Sequence, residues 1–407
     1  MTELLEANIK DIARRLLPLF PETFFDAVLK HRFEHIVQPD VAKFSQLISW
    51  TVLNKILNNA PLNAPRLRLY KDGQQISPHR YTAIGGYSRT GILSSAALHE
   101  ELRSGATLIL DSVHELHDPI EKVTRVLQRL LHARVGANLY ASFGIDSGFD
   151  LHWDNHDTLI LQVVGEKSWL VYPPTIAFPL KEGGPRPAAP NDQPLWSGIL
   201  GQGHALYLPR GYWHLVKPLA QPSLHITVGI RRYNGFDLLR WMVAECVDSD
   251  VVRRDLPVLE GTDASTEFAE ALKHVVAEKL GSLPVQRFLD SVNSEHVPLP
   301  LMQLPHAIIG GNPESSPSQA VVRLSSPREL VISNISEGNR IMVTSSGCSF
   351  FIANSALALL KELDRQPNGI RLEDLLLING LEERTQETRE LINALWRKGI
   401  LDIDWNA

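Results

Sequence analysis

Two short stretches hold the residue types that could do chemistry. The first is Leu151-His152-Trp153-Asp154-Asn155-His156-Asp157, which runs directly into Thr158-Leu159-Ile160-Leu161-Gln162-Val163-Val164. The second is Tyr207-Leu208-Pro209-Arg210-Gly211-Tyr212-Trp213-His214. In extended backbone, residues i and i+2 point to one face. His152 and Asp154 can therefore reach a single ion, and His214 lies far enough along the chain to arrive from another strand. Two imidazoles and one carboxylate make the facial set that holds non-haem Fe(II) and leaves coordination positions for a co-substrate and O₂. An HxD pair alone is a weak signal, because Asp154 could equally cap a turn. The context strengthens it. An apolar run follows, then Gly165-Glu166-Lys167-Ser168-Trp169, and the distal His comes after a Leu-Pro-Arg-Gly turn.

Read together, "NLYASFGIDSGFDLHWDNHDTLILQVVGEKSWLVYPP" and "GHALYLPRGYWHLVKPLAQPSLHITVGI" resemble the JmjC-type cupins of the ribosomal oxygenase group, Fe(II)- and 2-oxoglutarate-dependent protein hydroxylases. The resemblance covers roughly residues 20–232, and several fixed offsets agree at once. It implies His152, Asp154 and His214 as the iron ligands. It implies Lys167 as the cation for the distal carboxylate of 2-oxoglutarate, with Asn138 and Tyr140 lining that pocket. It also implies a contribution from the strand Ser223–Gly229, through Thr227 or His225.

Spacing is consistent with these roles. Asn138 and Tyr140 stand at i and i+2 of an expected strand, and Lys167, Trp169 and Val171 share a face of another. A dianionic co-substrate needs a cation and donors in a partly dry site. The plainer readings are a solvated turn lysine for Lys167 and a core aromatic for Tyr140. A fourth metal ligand at His225 would block open positions, so a satisfied interior histidine is the default there. His114, His117 and His132 read as surface or cap residues.

The elements that must position these groups can be followed along the chain. Residues 3–17 have helical apolar spacing that Pro18 and Pro21 end. A second helix opens at Pro21, and residues 40–58 look like further helix. Arg66–Tyr70 alternates as a strand that turns at Lys71-Asp72-Gly73. Residues 81–93 carry Gly85, Gly86 and Gly91 and suggest a loop, with no GK[ST] to make a phosphate cradle. After the strand 105–110, Asp118-Pro119 predicts a helix to about His132 with Asp118 as cap and Pro119 first. From Val135 to Arg232 short runs separated by Gly, Pro, Asn and Asp predict a small antiparallel barrel. A Pro- and Gly-rich insert at 173–197 separates the two ligand-bearing stretches, placing it near the mouth. Asp146, Asp150 and Asp157 there could favour a basic target, or be ordinary loop residues.

The expected fold class is thus mixed α and β. A barrel with helical buttress is expected over 1–232, for which the resemblance implies a double-stranded β-helix, and a helical region over 233–309, for which it implies dimerisation. A linker at 310–319 precedes a C-terminal part, 320–407. Its strands (328–333, 339–344, 348–352) and helices (354–364, 371–378, 383–397) are ordered like the winged helix of ribosomal oxygenases. The stretch Glu382–Glu390 carries more acid than base, whereas phosphate contacts need Lys and Arg. A structural or protein-contacting wing is therefore expected.

Composition sets the outer bounds. The chain has 407 residues, 44% hydrophobic and 21% charged, as in ordinary globular proteins. A net charge of −6 gives no global basic field for nucleic acid. Cys246 and Cys348 are distant and outside any CxxC, so neither a disulfide framework nor a zinc finger is expected. The acidic start lacks a signal-peptide pattern, and no long apolar run suggests a membrane span. A reducing cytoplasm is the simplest compartment. The leading functional reading is hydroxylation of a side chain, arginine or histidine among the options, in a ribosomal protein or a ribosomally made peptide. It needs Fe(II), 2-oxoglutarate and O₂, and a homodimer is expected. Two alternatives stay open. One is a non-catalytic sensor with a nucleic-acid-binding wing. The other is a metal-dependent cupin that needs no 2-oxoglutarate, although such cupins more often carry three His and a Glu.

Overall fold

A computed structural model describes residues 19–59, 62, 65–83, 92–144, 148–180, 188–281, 285–296, 298, 301–302, 320–337, 340–377 and 385–405. The expected helix at 3–17 and the linker at 310–319 lie outside the described residues. The chain divides into two compact units, Met1–Arg232 and Tyr233–Ala407.

Fourteen strands build the first unit. They are β1 (Glu34–Ile36), β2 (Leu67–Lys71), β3 (Gln74–Ile76), β4 (Thr82–Ala83), β5 (Ile92–Leu93), β6 (Thr107–Leu110) and β7 (Ala133–Ser142). The remainder are β8 (His152–Trp153), β9 (Asp157–Val164), β10 (Lys167–Tyr172), β11 (Trp196–Leu200), β12 (Ala205–Leu208), β13 (Trp213–Pro218) and β14 (Ser223–Arg232). An eight-stranded sheet has the order β1-β12-β9-β14-β7-β6-β2-β3, and a four-stranded sheet the order β11-β10-β13-β8. Pairing in both is antiparallel. Two antiparallel sheets agree with the small antiparallel barrel that the strand and turn pattern predicts, and with the cupin form that the resemblance implies.

Local sequence explains the register. On β10 Lys167, Trp169 and Val171 are buried and Ser168, Leu170 and Tyr172 are not, the period of two expected of a strand with one covered face. β9 is buried almost throughout because both its faces are covered: Leu159, Leu161 and Val163 enter the large core and Ile160 a smaller cluster with Trp169 and Val171. The β2–β3 hairpin turns through Asp72 (φ 49°) and Gly73 (φ 71°), the left-handed pair that an Asp-Gly turn supplies cheaply.

Helices buttress the large sheet. The helix Asp118–Leu131 buries Ile120, Val123, Val126, Leu127 and Leu130 and packs on β7. Its cap is His117, so Asp118 and Pro119 stand one position further inside than expected. The helix Glu22–Lys30 buries Phe24, Phe25, Ala27 and Val28 in the same core. The expected helix at 40–58 is confined to Trp50–Asn59. Residues 40–47 instead form a chain of turns, begun by the Asp40 carboxylate accepting from Ala42 N–H and continued by i→i+3 bonds. At 81–93 the ends pair as β4 and β5, so the segment is not all loop; residues 84–91 lie outside the described residues.

In the second unit, helices at Gly235–Glu245, Thr262–Gly281 and Val285–Ser294 precede two three-stranded sheets. One sheet joins Val321–Leu324 to Ile370–Arg371 and Leu401–Asp404, and the other is the meander Val331–Glu337, Arg340–Ser345 and Cys348–Ala353. Helices Leu357–Arg365, Leu372–Leu376 and Thr385–Arg397 complete it around a separate apolar core.

Candidate active site

The site begins as one row across the small sheet. Val171 of β10 pairs with His214 of β13, and His214 pairs with His152 of β8. The two imidazoles thus meet as direct cross-strand neighbours, with ring centroids 4.3 Å apart. Asp154, two residues past His152, brings Oδ2 to 3.7 Å from His214 Nε2. One ligand atom from each of His152, Asp154 and His214 lies within 4.8 Å of the others, the spacing of donors that share an ion.

Both rings are oriented by carbonyls. His152 Nδ1 donates to Asp150 O at 2.7 Å, and His214 Nδ1 donates to Tyr212 O at 3.2 Å. Each Nε2 is left with its lone pair available, and this is how the second hydrogen bond of a ligating histidine selects the tautomer. Burial, reinforced by the neighbouring His152, pushes the His214 imidazole down to about 4. It is therefore neutral at physiological pH, as a metal ligand must be.

A cavity of about 280 Å³ opens between the two sheets beside this row. The small sheet contributes His152, Lys167, Trp169, His214, Val216 and Pro218 to its lining. The large sheet contributes Arg68, Thr107, Tyr140, Ser142, Thr158, Ile160, His225 and Thr227, and the loop before β8 adds Gly148 and Phe149. Lys167 is buried, and its Nζ donates to Ser142 Oγ at 2.9 Å; Ser142 Oγ lies 3.0 Å from Thr107 Oγ1. Burial lowers the ammonium to about 7. A lysine so desolvated, with no carboxylate paired to it among the described residues, is suited to an anion brought in from outside.

Tyr140 and His225 stack face to face across β7 and β14, with centroids 4.8 Å apart and planes 6° from parallel. Burial raises the Tyr140 phenol and, with Lys167 nearby, drives His225 well below its usual value. His225 is not the satisfied interior histidine expected, because its buried Nδ1 has no hydrogen-bond partner. Thr227 lines the cavity, but Asn138 is not among the lining residues. Its Oδ1 accepts from Ser112 N–H at 2.9 Å and its side chain hydrogen-bonds Tyr140, so it stands one layer back.

Among the other acids Asp157 departs from expectation, and the histidines read as surface or cap residues stay outside the metal-ligand group. Asp157 is not at the mouth. It is 3% exposed and accepts from Tyr207 Oη, Arg210 N–H and Arg232 Nη2. Asp150 is exposed, and Asp146 lies outside the described residues. His132 caps a helix with φ 44°, and His114 Nδ1 accepts from Ala137 N–H; neither joins the metal-ligand group. Reading the sequence missed Ser142 and Arg68. Extending the alternation Asn138, Tyr140 by one step reaches Ser142. Nothing in Arg66–Tyr70 signals that Arg68 would line a cavity while its guanidinium is held by Asp111.

Known proteins resemble the chain at this point. Residues 113–238 match the model of the JmjC domain. "Bifunctional lysine-specific demethylase and histidyl-hydroxylase NO66" from Caenorhabditis briggsae is 28% identical over 301 residues, 67% of this chain and 38% of that protein. The protein of the same name from Drosophila melanogaster is 27% identical over 265 residues, 60% of this chain and 38% of that one. The match therefore spans well under half the length of these curated relatives. The crystal structure of Escherichia coli ribosomal oxygenase YcfD superposes with a TM-score of 0.52 at 17% identity, covering 93% of this chain and 98% of that one. The YcfD structure in complex with cobalt and 2-oxoglutarate gives 0.52 at 16% identity, covering 93% and 98%. At that identity these structures show the shared fold.

Proposed function

We infer, taking as premise that residues 113–238 are a JmjC domain, that the chain is an Fe(II)- and 2-oxoglutarate-dependent oxygenase. Its proposed reaction is hydroxylation of an amino-acid side chain in a protein or peptide. One observation carries the reading: a His-Asp-His set with both Nε2 atoms available shares a cavity with a buried lysine that has no carboxylate partner among the described residues.

The donor set fits the metal. Two imidazoles and one carboxylate, without thiolate, suit Fe(II) and leave positions open. His152, Asp154 and His214 would hold it. When bound, Fe(II) with 2-oxoglutarate and O₂ supplies decarboxylation of the keto acid coupled to insertion of one oxygen atom into a C–H bond. The chain's own groups do the rest. Lys167, with Ser142 beside it, would take the distal carboxylate of the co-substrate, and Thr227 would line its path. Tyr140 would present its phenol to the same pocket, held in place by Asn138 and by stacking on His225. Trp169, Val216 and Ile160 give the apolar walls that keep water out and strengthen each polar contact.

The relatives' names include a histidyl-hydroxylase and a ribosomal oxygenase, which support a protein substrate with histidine among the targets; arginine rests on the family resemblance alone. Purified protein should release succinate from 2-oxoglutarate only with Fe(II) and O₂, and faster with its true substrate. Mass spectrometry of cells with and without the gene should find a protein or peptide that carries one more oxygen atom when the gene is present. Failure of succinate release under any metal would overturn the reading.

The second unit supports a homodimer. On the helix Gly235–Glu245 and the turn after it, Phe236, Leu239, Val243 and Val247 are exposed at helical spacing, and the helix Thr262–Gly281 buries no residue. A second copy would cover this face. The part 320–407 is proposed as a winged-helix-like, protein-contacting domain. No helix among the described residues is long and apolar enough to cross a membrane.

A further inference from the structure

The two ligand-bearing arms come from distant parts of the sequence, and an ion site requires them to be held at fixed separation. The arm with His152 and Asp154 ends at the first residue of β9, Asp157. The arm with His214 begins at the turn Pro209-Arg210-Gly211-Tyr212. Beyond the pairing of β13 with β8, two hydrogen bonds at the turn join them. Gly211 N–H donates to Asp154 O at 3.0 Å, and Arg210 N–H donates to Asp157 Oδ1 at 2.8 Å. Tyr212, the last residue of that turn, is also the one whose carbonyl orients the His214 ring.

Asp157 is anchored from behind. Its Oδ2 accepts from Tyr207 Oη at 2.8 Å and from Arg232 Nη2 at 2.7 Å. Arg232 in turn donates to Val28 O, at the end of the helix Glu22–Lys30, and lies 2.9 Å from His31 Nδ1. A buried carboxylate with this many donors is costly to place unless every one is used. Here Oδ1 serves the ligand turn and Oδ2 serves the scaffold.

We propose that Asp157 is a positioning residue for the metal centre: it ties the turn that carries His214 to the arm that carries His152 and Asp154, and through Arg232 it ties both to the helical buttress. The proposal rests on the oxygenase reading for its purpose, and on geometry alone for its contacts. The identity of the residue matters. Arg232 and the Arg210 N–H can only donate. A carboxylate offers each an oxygen, whereas an asparagine has one oxygen and must turn its NH₂ toward one of the two.

The turn itself supplies a sharper test than deleting a buried charge. Tyr212 N–H returns to Pro209 O at 3.2 Å and Gly211 has φ 91°, as in a type II turn with Arg210 at its second position. Proline is at home there. Arg210→Pro therefore removes the N–H that meets Asp157 while keeping the turn, and Arg210→Ala keeps the N–H while removing the side chain.

The experiment titrates the metal-free full chain with Co(II) alone, following visible absorption and heat, beside thermal melts of each metal-free protein. Wild type and Arg210→Ala should bind Co(II) within about twofold of each other. Arg210→Pro and Asp157→Asn, where folded, should bind about 10- to 100-fold more weakly, the usual consequence of losing a partner behind a ligand, with an altered cobalt spectrum. Tyr207→Phe, which touches only the scaffold side, should melt lower yet bind Co(II) like wild type. Folded Arg210→Pro with wild-type affinity and spectrum would overturn the proposal, as would Arg210→Ala weakening binding equally. Wild type that binds no Co(II) would instead bring down the oxygenase reading, and this inference with it.

Discussion

Lys167 is the residue whose environment makes the most specific demand. Burial lowers its ammonium to about 7, and a bound carboxylate would raise it again. Below about 7 the charge is already present when 2-oxoglutarate arrives; above it a proton must be taken up. Affinity for 2-oxoglutarate should therefore fall as pH rises through about 7, approaching about tenfold per pH unit. Titration calorimetry at pH 8 in two buffers of different ionisation enthalpy should show proton uptake on binding. Lys167→Met should abolish that uptake and weaken 2-oxoglutarate binding while Co(II) affinity persists; unchanged 2-oxoglutarate affinity would remove Lys167 from the site. This residue was legible through the family resemblance, with which the alternation of Lys167, Trp169 and Val171 onto one face is consistent. Asp157 was not legible. Beside Asn155 and His156 it reads as a loop acid, and its partners Tyr207 and Arg232 lie 50 and 75 residues away. Only folding brings them together.

Among the elements, the turn before β13 is under tight steric control. At Gly211 a Cβ would stand 2.6 Å from Pro179 Cδ, on backbone with φ 91°. Gly211→Ala should cost on the order of 1–3 kcal/mol from strain alone, read as a lowered melting temperature, and should weaken Co(II) binding because His214 moves with the turn. An alanine variant as stable as wild type would show that the turn tolerates a side chain. Strands were easier to foresee than helices here. Alternation fixed the inner faces of β10 and β14, since a slip of one residue would turn every buried side chain outward. Apolar spacing at 40–58 promised helix. Yet Asp40 captures its own neighbour's N–H and residues 40–47 settle into turns, a local competition that periodicity does not register.

For the whole molecule, the separation of roles between the two units governs what removal should do. No residue of the metal-ligand group lies beyond Arg232. A chain ending before residue 320 should keep its Co(II) affinity within about twofold, judged against the scatter of such second-site effects. Loss of metal from a folded truncation would tie the centre to the C-terminal part. The face carrying Leu239 and Val243 should behave differently. Leu239→Asp with Val243→Asp should convert a dimer to a monomer in light scattering, whereas a wild-type monomer would contradict the assembly. Barrel strands and the C-terminal meander were foreseeable from short strands punctuated by turn residues, whereas the sheet of Val321–Leu324, Ile370–Arg371 and Leu401–Asp404 was not. The covering of an exposed apolar face was not, because a sequence shows which residues are apolar and not what they meet.

The central claim is that His152, Asp154 and His214 hold one ferrous ion to which 2-oxoglutarate binds under the grip of Lys167. The most direct test is anaerobic visible spectroscopy, following the charge-transfer band that arises when a 2-keto acid chelates ferrous iron. Wild type should develop the band on adding Fe(II) and 2-oxoglutarate. His152→Ala should not develop it at any concentration, and Lys167→Met should need far more 2-oxoglutarate to reach it. A wild-type protein that stays colourless at saturating metal and co-substrate, or a His152→Ala variant that colours equally, would contradict the account.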